Sequence, residues 1–120
     1  MNVVRGPCSH TMCVLRLVGP FRAPLNGELR HRVRALVRNG KRTIVLDLAR
    51  VPRIDAAGVG QLVRAYNLTV ERNGVLQIVH ATAWVREILQ RVGLFDLLSG
   101  GWGPDERAAR TFLARRAQIL

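Results

Sequence analysis

Residues 43–48, TIVLDL, form a nearly continuous apolar run in which Asp47 is the only charge. A run of this kind suits a strand that is covered on both faces or set centrally in a sheet. Pro52 then disfavours helix at the residue before it, so the chain must leave the sheet between Ala49 and Ile54. Beyond Asp55 the period changes: Val59, Leu62, Val63, Tyr66 and Val70 recur at the spacing of an amphipathic helix that Asn73-Gly74 closes. Val75 to Val79 supplies another strand. Strand, helix of about 17 residues and strand make a parallel crossover unit, because parallel neighbours need a connection of that length. The unit restricts the chain to an α/β fold, and its strand-to-helix turn, Asp55-Ala56-Ala57-Gly58, is where function is expected.

The remaining elements assemble around that unit. The 120 residues accommodate one domain with a hydrophobic core and are too few for two. Residues 1–12 lack periodicity and contain Pro7, so they are expected to form a loosely ordered arm, with a single domain over residues 13–118. Cys13 to Val18 predicts a first strand ended by Gly19-Pro20, followed by a short strand or turn at Phe21 to Ala23. Pro24 opens a helix to about Asn39, with Leu25, Leu29, Val33, Leu36 and Val37 on its apolar stripe. Arg30, Arg34 and Arg38 run along another flank, and Asn39-Gly40 closes the helix. Thr82 is the expected N-cap of a third helix that buries Val85, Ile88, Leu89 and Val92 and ends at Gly93. Leu94 to Leu98 is an edge strand or a turn on the core. After a glycine-rich loop, Asp105 starts a last helix, with Ala108, Ala109, Phe112 and Leu113 expected to pack on the chain's own domain rather than on a membrane.

Charge and cysteine usage narrow the function classes. The formal net charge is +11 from 19 basic and 8 acidic residues. Residues 1–42 carry +8, residues 43–106 carry −1 and residues 107–120 carry +4, so the excess lies at the two ends. Such ends suit an acidic protein, nucleic acid or a weak contact with an anionic surface, or else a solvated surface rich in arginine. The solvated surface is preferred, and specific nucleic-acid binding is not expected, since no aromatic residues interleave with the arginines to stack bases. No segment has signal-peptide character or the roughly 18 uninterrupted apolar residues of a membrane helix, which places the chain in the cytoplasm. Cys8 and Cys13, with His10 between them, fall short of a four-ligand zinc site and are expected to be free thiols. No metal is expected.

Catalytic motifs fail one by one. Gly40-Lys41 lacks the earlier glycine and the following hydroxyl of a phosphate loop, and Gly58-Val59-Gly60 meets Val63 where a dinucleotide fingerprint needs glycine. No cofactor is therefore expected. A hydrolase elbow would place its nucleophile at the turn, but Ala56 and Ala57 stand there. His10, His31 and His80 have no carboxylate at catalytic spacing in the sequence, so none is expected to act as a general base. Asp55 is expected to cap the following helix, and Gly58 and Gly60 to let its end approach another backbone closely. These features describe a non-catalytic docking surface, in which a bulky residue at 58 should weaken docking and leave the fold intact.

The order Asp47, Leu48, Val51, Ile54, Asp55, Gly58, Val59, Gly60, Leu62 and Val63 resembles the signature of STAS domains, shared by anti-sigma factor antagonists and sulphate transporters. The likeness extends from about Cys13 to Leu113, including the Gly19-to-Phe21 turn and Gly93-Leu94-Phe95. It implies a small mixed β-sheet of about four to five strands covered by about four helices. It also implies a protein partner: either a kinase-type anti-sigma factor or, for accessory STAS subunits of ABC-type lipid-transport systems, a transporter ATPase. The binding surface implied comprises Arg22, Arg53, Asp55, Ala56, Ala57, Gly58, Gly60 and Gln61, within the 52–64 loop and helix start. In the antagonists a hydroxyl directly after the motif aspartate is phosphorylated, and the added charge of roughly −1.5 to −2 abolishes docking. Here that phospho-acceptor position is Ala56, and Arg22 stands where the antagonists commonly carry an acid. The fold is expected without the serine switch.

Overall fold

A computed structural model describes residues 1–22 and 27–100. Its strands are β1 (Asn2–Cys8), β2 (Met12–Val18), β3 (Thr43–Arg50) and β4 (Val75–Val79), in the spatial order β1-β2-β3-β4. β1 runs antiparallel to β2, while β2, β3 and β4 are mutually parallel. The helices are α1 (Glu28–Arg38), α2 (Ala56–Val70), α3 (Ala83–Arg91) and α4 (Phe95–Gly100). The expected crossover is present as β3-α2-β4, and β2-α1-β3 is a second one.

The period-two alternation of the strands gives the sheet two unlike faces. Val3, Cys13, Leu15, Leu17, Ile44, Leu46, Leu48, Leu76 and Ile78 turn to the side where Leu29, Val33 and Leu36 of α1, Leu62 and Ala65 of α2, and Val85 and Leu89 of α3 complete one core. The opposite face carries a small second cluster of Val14 and Val45 with Met12 and Val79. The apolar run at 43–48 is thus a central strand with buried side chains on both faces.

Several elements differ from expectation. Residues 2–8 are an edge strand, not a loose arm. Only Val3 of β1 is fully buried, and the register shifts between Arg5 and Cys8, around Pro7. An edge strand tolerates proline and needs few apolar side chains, which is why its sequence lacks a visible period. Cys8 and Cys13 are not free thiols: they stand opposite each other across the β1–β2 hairpin and form a disulfide. Sequence spacing alone did not show that the two cysteines would be paired by strand register. Leu94 to Leu98 is neither strand nor turn, since α4 begins at Phe95 and buries Leu98. The start expected for the first helix at Pro24 and the terminal helix from Asp105 lie outside the described residues.

α2 is rotated relative to the stripe read from its large apolar residues. Its buried positions are Gly58, Leu62, Ala65 and Thr69, while Val70 is 44% exposed. Three of these four are small or polar, so a pattern scored on bulk misses them. Thr69 becomes buriable because its hydroxyl donates to the Ala65 carbonyl at 2.9 Å. α3 likewise buries Val85 and Leu89 but leaves Val92, its C-cap, 51% exposed. The left-handed Gly93 (φ 77°) closes the helix as expected.

Candidate functional site

The turn from β3 into α2 is built on Phe21. This fully buried residue bridges Ile54, donates its backbone N–H to the Arg53 carbonyl at 2.8 Å, and accepts at its own carbonyl from Asp55 N–H at 3.2 Å. With the backbone fixed in this way, Asp55 is extended and its Oδ1 accepts from Gly58 N–H at 2.9 Å. This is the expected N-cap, worth about 0.5–2 kcal/mol.

Pro52, Arg53, Ala56 and Ala57 are exposed on the outer side of the turn, and Arg22 is exposed beside Phe21. Gly58 is not. It is buried, and a Cβ there would collide with the Phe21 carbonyl oxygen and lie 2.7 Å from Ile54 Cγ1. The expectation that a bulky residue at 58 spares the fold is therefore overturned, because the colliding group is backbone and cannot rotate away. Gly60 is partly buried, with nothing within 4 Å of an added Cβ. Gln61 is also partly buried, and its Oε1 has no hydrogen-bond partner.

The structure adds Trp84 to this surface. The Thr82 hydroxyl does not cap α3; it donates to the Val51 carbonyl at 3.0 Å and holds the start of α3 against the 51–55 loop. Trp84 follows, 50% exposed, with the Arg53 guanidinium 5.8 Å from its ring centroid. Tryptophan and arginine are residue types enriched where protein surfaces bind one another. The signal in the sequence was a tryptophan one position before the buried stripe of its helix.

No exposed side chain of the Pro52–Ala57 turn is a nucleophile or a general base: Ala56 and Ala57 offer methyl groups, and the Asp55 carboxylate is engaged in the cap. One pairing that sequence spacing hid does occur elsewhere. His80 Nδ1 lies 3.3 Å from Asp47 Oδ1 across the parallel pair β3 and β4, so His80 does have a carboxylate neighbour. Among the described residues no group of three or more His, Cys, Asp and Glu side chains is placed to hold a metal ion, and no helix is long and apolar enough to cross a membrane.

Comparison with known proteins agrees with this architecture. A family model described as Mlab, STAS domain, matches residues 9–99. No curated protein matches the chain. Among solved structures, the Bacillus cell fate determinant SpoIIAA in its phosphorylated form superposes with a TM-score of 0.67 at 17% identity, covering 92% of this chain and 99% of that one. The anti-sigma factor antagonist SpoIIAA in its unphosphorylated form gives 0.62 at 17% identity over 74% of this chain and 82% of that one. A sulfate transporter family protein from Wolinella succinogenes gives 0.60 at 21% identity over 73% and 71%.

Proposed function

The chain belongs to the STAS domain family, whose members are generally non-catalytic binding modules, and on that premise we propose that it acts in the cytoplasm by docking on a protein partner through the 52–64 turn. The partner class is a kinase-type anti-sigma factor, and docking is permanent in the sense that no serine switch governs it. One observation carries the reading: Ala56 and Ala57 on the outer side of the turn are exposed and offer no hydroxyl group, and Trp84 is exposed against Arg53 of the same turn.

A second reading has its own observation. Arg30, Arg34 and Arg38 of α1, Arg64 of α2 and Arg72 in the turn after α2 line adjoining grooves in which Glu71 is the one acid. This flank suits an accessory STAS subunit of an ABC-type lipid-transport system, whose transporter ATPase would present the opposite charge.

Affinity capture of the tagged full-length chain, followed by identification of what is retained, separates the two readings. Alongside it, Ala56→Glu places a charge where a phosphate would add one. A carboxylate in the first turn of a helix favours the helix, so the fold should be kept. Retention of the partner should fall at least tenfold with an unchanged melting temperature. A variant that retains the partner as well as the parent chain removes the turn from the interface.

A further inference from the structure

A second site lies on the opposite face of the sheet, away from the helices. Val4, Arg16, Val18, Asp47, Arg50 and His80 line a cavity of about 380 Å³, within the range of small-molecule sites. It opens where the parallel strands β2, β3 and β4 end, at Val18, Arg50 and Val79. In open sheets with parallel strands, ligands gather outside these carboxyl ends.

The polar groups there are poorly matched to one another. Two guanidinium groups, an imidazole and one carboxylate line the cavity, and only Arg16 and His80 approach the carboxylate. Asp47 already accepts at Oδ1 from Ala49 N–H at 3.0 Å and has the His80 ring 3.3 Å from the same oxygen. Arg16 reaches Asp47 Oδ2 only through Nε at 4.0 Å, and its Nη2 is buried with no hydrogen-bond partner. A buried donor with no acceptor is costly, and a guanidinium fork is shaped to receive two oxygens of a carboxylate or phosphate. His80 sits at φ 57°, a backbone conformation uncommon outside glycine that gathers at ligand sites. Val4, 47% exposed, and Val18 form an apolar wall beside these groups.

We propose that this cavity binds a small organic anion: a carboxylate or phosphate monoester whose charged head is held by Arg16 and Arg50 and whose compact apolar body rests on Val4 and Val18. Asp47 competes with the ligand for Arg16. The site is separate from the β3–α2 turn, and its occupancy does not depend on the partner proposed above.

Titration of the full-length protein with phenyl phosphate and with benzoate, followed by amide chemical shifts, tests the site. Saturable shifts are expected at Val18, Ala49, Arg50 and His80, with inorganic phosphate weaker and benzyl alcohol without effect. Whichever of the two probes binds more tightly identifies the preferred head group. Arg50→Gln, at an exposed position, and Arg16→Gln should each weaken binding at least tenfold, and Asp47→Asn should strengthen it several-fold. The proposal is overturned if neither probe gives saturable shifts, if benzyl alcohol binds as well as they do, or if a folded Arg50→Gln protein binds with the parent's affinity.

Discussion

The two sides of the β3–α2 turn use the same residue type for opposite ends. On the inner side Gly58 exists because the Phe21 carbonyl occupies the place a Cβ would take, and the close approach lets Leu62 and Ala65 reach the sheet. On the outer side Gly60 meets nothing within 4 Å, and Ala56 and Ala57, one helical turn before it, are exposed. The inner glycine is a packing requirement, while the outer one costs helix stability with no contact in return. The turn is therefore tightly packed underneath and carries only small residues at 56, 57 and 60 on top.

Substitutions can break this contrast. Gly58→Ala should have the largest effect, lowering unfolding free energy by about 3 kcal/mol in urea denaturation, since the clash is with backbone. A loss below about 1 kcal/mol would show that the Phe21 segment can move aside and that the underside is not rigid. Trp84→Ala should act only on the outer side, reducing partner affinity by about 2 kcal/mol while changing stability by no more than about 0.5 kcal/mol. Equal losses in both would make the ring part of the core. Gly60→Ala should be the mildest, raising stability by up to about 1 kcal/mol through helix propensity alone. A destabilised Gly60→Ala protein would mean that position 60 is as constrained as position 58.

The crossover was legible in the sequence because its signals are local. The apolar run at 43–48, the Asp55 cap and the Asn73-Gly74 end each act within a few residues. α2's true buried face was less legible: Gly58, Ala65 and Thr69 are buried for what they leave room for or bond to, and bulk does not report that. The disulfide between Cys8 and Cys13 depends on strand register, and the bond from Thr82 to Val51 on how α3 sits against the loop. The neighbourhood of Asp47 and His80 depends on β3 and β4 lying side by side, although they are 33 positions apart.

By itself, then, the sequence determined the α/β class, the order of its central elements and the absence of a hydroxyl at position 56, because composition and local periodicity need no partner from elsewhere in the chain. Only the tertiary structure decided which glycine is locked, that β1 joins the sheet, that Trp84 borders the turn, and that Arg16, Asp47, Arg50 and His80 line one cavity. Those are relations between distant segments. They exist only once the parallel strands are in register and the helices have closed on one face.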